Sequence, residues 1–273
     1  MEKNLWGECI AEFLGTFILI FIGTATVAAM VVSGATISLW ELSIAWGLAV
    51  AIAIYVTGFI SGTHINPAVT IGLLIWGGFA KKKVVPYIIA QVCGAFTGAA
   101  VVYSLYGDAI RTFENANDII RGSESGLATA GIFSTFPQAY LSLFDAFLVE
   151  MAITALLMVV IFAVTDQRNG AAPSGGIAAL SIGLTIAICG ISFGPLTGFA
   201  MNPARDLGPR LFLLISGWGA EAIGPHLYGF IVPIFGPITG AILGGAIYKK
   251  MITPFYVKKK VIEKKDSDHV KAS

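Results

Sequence analysis

The sequence predicts an all-α integral membrane protein in which six transmembrane helices and two re-entrant half-helices form an inverted repeat. Three observations carry this prediction: long stretches free of charge, lysines confined to a few places, and an Asn-Pro-Ala tripeptide that occurs twice at matching positions.

Only 12% of the 273 residues are charged, 56% are hydrophobic, and the formal net charge is +1. A soluble domain carries about 25% charged residues, so the composition excludes an ordinary soluble domain, a disordered chain and a basic nucleic-acid binder. Residues 13–32, 42–80, 84–107, 169–204 and 222–248 contain no Asp, Glu, Lys or Arg. Each run reaches the roughly 20 residues that a helix needs to cross a hydrocarbon core.

The first crossing, about 9–32, follows Lys3 in the manner of a secretory leader, but Glu8 and Glu12 interrupt a leader and favour a retained helix. The others fall at about 40–60, 84–106, 144–165, 177–195 and 228–250. All 12 lysines lie at Lys3, at Lys81, Lys82 and Lys83, or between Lys249 and Lys271. Basic loops stay in the cytoplasm, which puts both termini and the Lys81 loop inside and requires an even number of crossings. Segment 107–143 mixes Asp108, Arg111, Glu114, Asp118, Arg121 and Glu124 and is expected as an outer loop, with 166–170 as an inner turn. The tail, 252–273, reads as a solvated, mobile cytoplasmic segment whose lysines signal topology, with weak attraction to anionic membrane lipid as the alternative. Cys9, Cys93 and Cys189 lack any paired spacing and read as small buried residues. His226 and His269 form no ligand spacing, so neither a metal site nor a cofactor is expected.

Two charge-free runs are too long for one crossing. Run 42–80 has 39 residues and 169–204 has 36; as continuous helix the first would extend nearly ~60 Å, against a core of ~30 Å. The surplus begins at Asn66-Pro67-Ala68 in one run and Asn202-Pro203-Ala204 in the other. Asn is a favoured helix N-cap and Pro a favoured first residue, so each tripeptide starts a helix. Each can run only to about Gly77 or Leu213, half a membrane, with non-helical backbone ahead of it. Such backbone is tolerated at membrane depth only where it lines a water-filled cavity or is buried in protein.

The repeat extends to Glu12 and Glu150, 138 apart, the Asn-Pro-Ala motifs, 136 apart, and Gly94 and Gly98 with Gly236 and Gly240, 142 apart. Each half holds three crossings and one half-helix, and an odd number of crossings inverts the halves, with sites expected at their midplane interface. The four glycines have the small-xxx-small spacing of closely packed membrane helices. Residues 1–251 read as one channel domain with repeats at about 5–107 and 143–251.

The segments Ala11-Glu12-Phe13-Leu14-Gly15-Thr16, the first motif within residues 61–69 and the second within 194–206, ending in Arg205 and Asp206, resemble the major intrinsic protein (aquaporin) family. Over about 9–250 the chain is most similar to its bacterial glycerol facilitator branch. The resemblance implies an aquaporin-like fold and a channel, not an enzyme, for passive diffusion of glycerol, small neutral polyols and water, excluding protons and ions. It implies Trp46, Gly190, Phe199 and Arg205 as selectivity filter. Asn66, Pro67, Ala68, Asn202, Pro203 and Ala204 are implied as pore lining. Backbone carbonyls of Gly62, Thr63, His64, Gly198, Phe199 and Ala200 would form an acceptor ladder. Gly190 stands where water-selective members carry a narrowing histidine. Glu12 and Glu150 are read as props that accept N–H bonds from the two loops, His64 as holding its loop, and Asp206 as a brace or a partner for Arg210. A homotetramer in the cell membrane is also implied. A water-selective channel, or a secondary transporter using the glutamates as proton relays, are the alternative readings.

Overall fold

The computed structural model describes residues 4–174 and 176–256; Lys3 and most of the expected mobile tail lie outside the described residues. Helix α1 (Leu5–Val32) starts where the Asn4 side chain accepts from the Trp6 N–H at 3.0 Å. Helices α2 (Leu39–Ser61) and α3 (Pro67–Trp76) follow, then α4 (Lys81–Ala116) and the short α5 (Leu127–Ala130). Next come α6 (Leu143–Thr165), α7 (Ile177–Thr197), α8 (Pro203–Ile215) and α9 (Tyr228–Ile247), the last running into a π-turn at Tyr248–Ile252. Capping boxes start α2, from Ser38 and Glu41, and α6, from Ser142 and Asp145, satisfying otherwise orphaned first-turn donors. Among the described residues six segments are long and apolar enough to cross a membrane: α1, α2, α4, α6, α7 and Gly219–Phe255, which contains α9. Large apolar side chains such as Phe59, Leu105, Val85 and Phe235 stand exposed on the outer faces, where lipid is the matching solvent. The protein is a multi-pass membrane protein.

Packing follows the repeat. Helix α1 lies against α2 and α4 as α6 lies against α7 and α9, and α2 crosses α7 at the centre. The half-helices exchange partners: α3 packs on α9 of the other repeat, and α8 on α4. At the α2–α7 crossing, a Cβ on Gly47 would run into the Gly183 carbonyl, and one on Gly183 into the Gly47 carbonyl. Ala187 and Ala51 flank the contact at 3.1 and 3.3 Å from those built positions. The reciprocity places the pseudo-twofold axis through this glycine pair and sets the α2-to-α7 equivalence at 136 residues.

The structure corrects the glycine register. Gly94 faces the Phe13 carbonyl, and its true counterpart facing Met151 is Gly240, not Gly236. A Cβ on Gly208 of α8 would run into Ala95, and one on Gly72 of α3 would stand 3.3 Å from the Ala241 Cβ; Gly94 with Gly240 and Ala95 with Ala241 are each 146 residues apart, one helical turn beyond 142. Gly236, Gly240 and Gly244 repeat every four residues, so a one-turn slip leaves the pattern of small residues unchanged. Two other expectations change. Helix α4 continues to Ala116, because charges such as Asp108 and Arg111 end a lipid-facing stretch without ending a helix. Cys93 is exposed and Cys9 half-buried; Cys189 alone is buried.

On the side of the Lys81 loop, Asp166 closes α6 and takes Arg168 in an ion pair at 2.7 Å and the Tyr248 hydroxyl at 3.2 Å. Hydrogen bonding from Arg168 holds the Asp166 carboxyl well below the usual carboxylate range.

Gly183→Leu is expected to destabilise the helix crossing by about 1–3 kcal/mol or more through overpacking against backbone. Gly170→Ala, where a Cβ meets nothing within 4 Å, is expected to leave stability within about 0.5 kcal/mol. Thermal unfolding of the two variants in detergent, followed by size-exclusion recovery, checks both.

Candidate functional site

Helices α2 and α7 each end on a glycine in the left-handed region, Gly62 at φ 87° and Gly198 at φ 80°. Beyond them Thr63, Ile65, Phe199 and Met201 also have positive φ, between 43° and 54°. Non-glycine residues held there cost about 1–3 kcal/mol each and persist only when their surroundings over-determine them. Two buried glutamates supply that constraint. Glu12 Oε1 accepts from the Ser61 hydroxyl at 2.6 Å and the His64 N–H at 2.8 Å. Its Oε2 accepts from the Ile65 N–H at 2.6 Å and the Gln91 amide at 2.8 Å. Glu150 repeats the pattern, with Thr197 (2.6 Å) and the Ala200 N–H (2.9 Å) on Oε1 and the Met201 N–H (2.7 Å) on Oε2. The Gln91 bond has no counterpart on Glu150.

The two half-helices meet end to end. Asn66 Oδ1 caps α3 by accepting from Ala68 N–H at 2.8 Å, and Asn202 Oδ1 caps α8 through Ala204 N–H at 2.9 Å. Each amide nitrogen then donates across the junction, Asn66 to the Met201 carbonyl at 2.9 Å and Asn202 to the Ile65 carbonyl at 2.7 Å. With Oδ1 committed to the cap, neither amide is free to flip, and each keeps a second N–H. Both asparagines line a cavity of about 390 Å³ that extends from Trp46, Phe199 and Arg205 to Thr165 and Ala178. Pro67, Ala68, Pro203 and Ala204 are buried in the first turns of α3 and α8, and of the two motifs it is the asparagines that line this cavity.

Gly62, Thr63, His64, Phe199 and Ala200 line the same cavity. Among the described residues no hydrogen-bond donor reaches their carbonyl oxygens. A Cβ on Gly198 would meet Thr135 at 3.0 Å.

At one end, Trp46 and Phe199 pack edge to face at 6.3 Å and 81°, and the Arg205 guanidinium lies 4.2 Å from the centre of the Trp46 ring. Arg205 is buried, makes no ion pair among the described residues, and donates to the Phe133 carbonyl at 3.2 Å. A Cβ on Gly190 would meet the Ser43 hydroxyl at 2.7 Å and the edge of the Phe199 ring at 3.0 Å, so the glycine leaves room for both. Gly23 does the same for Trp46, whose ring occupies the place of a Cβ. In the sequence Gly23 carries no signal of this role beyond its repeat partner being Ile161 rather than glycine.

Asp206 bonds both to the 132–135 segment and to Arg210. Its Oδ2 accepts from the Thr135 N–H at 2.8 Å and hydroxyl at 2.7 Å, and its Oδ1 accepts from Arg210 at 2.7 Å. Arg210, fully buried, also donates to the carbonyls of Thr135 and Ala222. Residues 132–135, expected in an outer loop, are therefore core: they fold back over α8 and supply the Phe133 carbonyl that orients Arg205. Their dependence on Asp206, some seventy positions away, left no local signal. His64 rests on Phe79 and Tyr87, with Nδ1 3.1 Å from Thr70 Oγ1.

A membrane bundle with two half-helices meeting over a largely apolar cavity, into which two asparagines and an arginine project, defines a channel-type protein built on an inverted repeat. The major intrinsic protein family model matches residues 1–248, and the chain belongs to that family. It is 53% identical over 252 residues to the glycerol uptake facilitator protein of Escherichia coli K12, covering 92% of this chain and 89% of that protein. It is 50% identical over 254 residues to the propanediol uptake facilitator PduF of Salmonella typhimurium, covering 92% and 96%. The X-ray structure of the aquaglyceroporin from Plasmodium falciparum matches with a TM-score of 0.82 at 35% identity, covering 92% of this chain and 98% of that one.

Each oxygen of Glu12 and Glu150 receives one backbone N–H, so no orientation of a glutamine avoids setting an amide N–H against a backbone N–H. Glu150→Gln is expected to cost about 1–3 kcal/mol. Glu12→Gln should cost less, because the Gln91 carbonyl, unpartnered at present, can turn to accept from the new amide. Unfolding midpoints and folded yield of the two variants check the order.

Proposed function

We propose that the protein is a channel through which glycerol and related small neutral polyols, together with water, diffuse passively down their gradients. The observation that carries this reading is the cluster of Trp46, Phe199 and Arg205 at the end of the cavity, with Gly190 leaving space for the Phe199 ring. A polyol has carbon on one side and hydroxyls on the other. Two aromatic faces suit the carbon, and the guanidinium offers a fork of donors to neighbouring hydroxyl oxygens. Farther in, the carbonyls of Gly62, Thr63, His64, Phe199 and Ala200 accept hydroxyl protons, and the remaining N–H groups of Asn66 and Asn202 donate to hydroxyl oxygens. Glu12, Glu150, His64 and Asp206 hold this backbone in place.

Ion exclusion has an electrostatic source in the same reading. The N-termini of α3 and α8 each carry about half a positive charge, they face each other across the junction, and Arg205 adds a full charge. A cation meets a barrier that a neutral solute does not. The distribution of lysines supports cytoplasmic termini in the cell membrane, and family membership supports a homotetramer with a pore in each subunit.

Stopped-flow light scattering of proteoliposomes, challenged with glycerol, propanediol, urea and an impermeant sugar, tests the reading. Glycerol flux well above that of empty vesicles is the expected result, and water flux alone overturns it. Gly190→His combined with Phe199→Cys is expected to reduce glycerol flux far more than water flux, since the imidazole fills space the carbon chain needs. Arg205→Val is expected to admit a small cation or proton leak while neutral flux continues. At 4 Å and an effective dielectric near 20, a unit charge contributes about 4 kcal/mol to the barrier; conductance at matched protein level measures the loss.

A further inference from the structure

The pseudo-twofold axis through Gly47 and Gly183 assigns every residue of the aromatic and arginine cluster an image in the other half of the channel. With the 136-residue equivalence of α2 and α7 and of the two motifs, the image of Trp46 is Ile182 and that of Gly190 is Ile54. Phe199 maps to Thr63, and Arg205 to Val69. These four images all line the cavity. Trp46 and Ile54 are eight residues apart on α2, or ~12 Å along the helix, so the two rings are separate stations.

The image ring is chemically the reverse of its counterpart. It has no aromatic face and no cation, and its one hydroxyl has no proton to give. Thr57 Oγ1 donates to the Ala53 carbonyl at 2.9 Å, so in the 2.7 Å Thr57–Thr63 contact the proton belongs to Thr63 and points away from a solute. The neighbouring imidazole follows the same logic. Thr70 Oγ1 donates to the Asn66 carbonyl at 3.0 Å, so the proton in the His64–Thr70 contact sits on Nδ1, leaving Nε2 of the neutral ring as an acceptor. Beyond the asparagines, then, this half of the channel offers backbone and imidazole acceptors on one side and Ile54, Val69 and Ile182 on the other.

We propose that Ile54, Thr63, Val69 and Ile182 form a second discriminating ring, which favours polyol over water by presenting apolar surface and no hydrogen-bond donor. This inference rests on the polyol-channel reading above. A water molecule in the ring loses the bonds to its oxygen and gains nothing from the aliphatic wall. A polyol lays its carbons against that wall and still donates to the acceptors opposite. Narrow apolar constrictions exclude water by dewetting, so polarity here matters as much as width.

The test compares water and glycerol fluxes of the full-length protein in proteoliposomes for wild type, Val69→Thr, Ile182→Thr and Ile182→Val, each normalised to folded protein recovered. Val69→Thr preserves shape, and Ile182→Thr places the same polarity on a different helix, so misfolding of one variant leaves the other informative. Each threonine variant is expected to raise the water-to-glycerol flux ratio about three- to fivefold, the worth of one additional hydrogen bond. Ile182→Val, which widens without wetting, is expected to raise both fluxes together. An unchanged ratio in both threonine variants, equal losses of both fluxes, or an equal change of ratio in Ile182→Val overturns the ring's role in discrimination. Absence of glycerol flux in wild type overturns the polyol-channel reading itself, and the inference with it.

Discussion

Everything in this molecule depends on one requirement: two stretches of non-helical backbone stand at membrane depth, where no bulk water satisfies their polar groups. The N–H groups of 64, 65, 200 and 201 go to two buried carboxylates, and the carbonyls of Ile65 and Met201 go to the asparagine amides of the opposite repeat. What is left over is a set of carbonyl oxygens with no protein donor. The same accounting that makes the loops stable therefore produces a wall of acceptors along the cavity. Structural satisfaction and solute binding are two parts of one hydrogen-bond inventory.

The cost of that arrangement is met by charge. Buried carboxylates are expensive unless fully bonded, and Glu12 and Glu150 are held by four and three donors respectively. Arg210 is paired with Asp206 and two carbonyls. Arg205 differs, since among the described residues its guanidinium donates to a single carbonyl, that of Phe133, and lies on an aromatic face at the end of the cavity. A buried cation left with spare donors beside a cavity is suited to bind whatever passes.

Symmetry and its breaking explain the rest. Backbone features repeat closely: the left-handed residues, the capping asparagines, the glutamate props and the Gly47–Gly183 crossing. Among the side chains that line the cavity, Asn66 and Asn202 repeat, as do Leu19 and Leu157, whereas the differences are concentrated at other positions paired across the axis, Trp46 with Ile182 and Arg205 with Val69. The fold tolerates this because those side chains face the cavity, whereas the packed glycines face backbone. Even room for the indole is asymmetric, with Gly23 in one half and Ile161 in the other.

The sequence by itself determined the membrane class, the crossings, the two half-helices and the glutamate and asparagine positions. Hydropathy, capping preference and span length are local properties that act through a few neighbouring residues, and the repeat made them legible twice. Tertiary structure alone decided the glycine register, because a stripe of small residues every four positions looks the same one turn along. It decided that 132–135 are core, since Phe133 and Thr135 are placed by Arg205 and Asp206 from the far end of the chain. It also decided that Gly190 and Gly23 leave room for the Phe199 and Trp46 rings. Which face of a residue meets a cavity depends on how distant helices cross, and a single chain's order of residues does not contain that geometry.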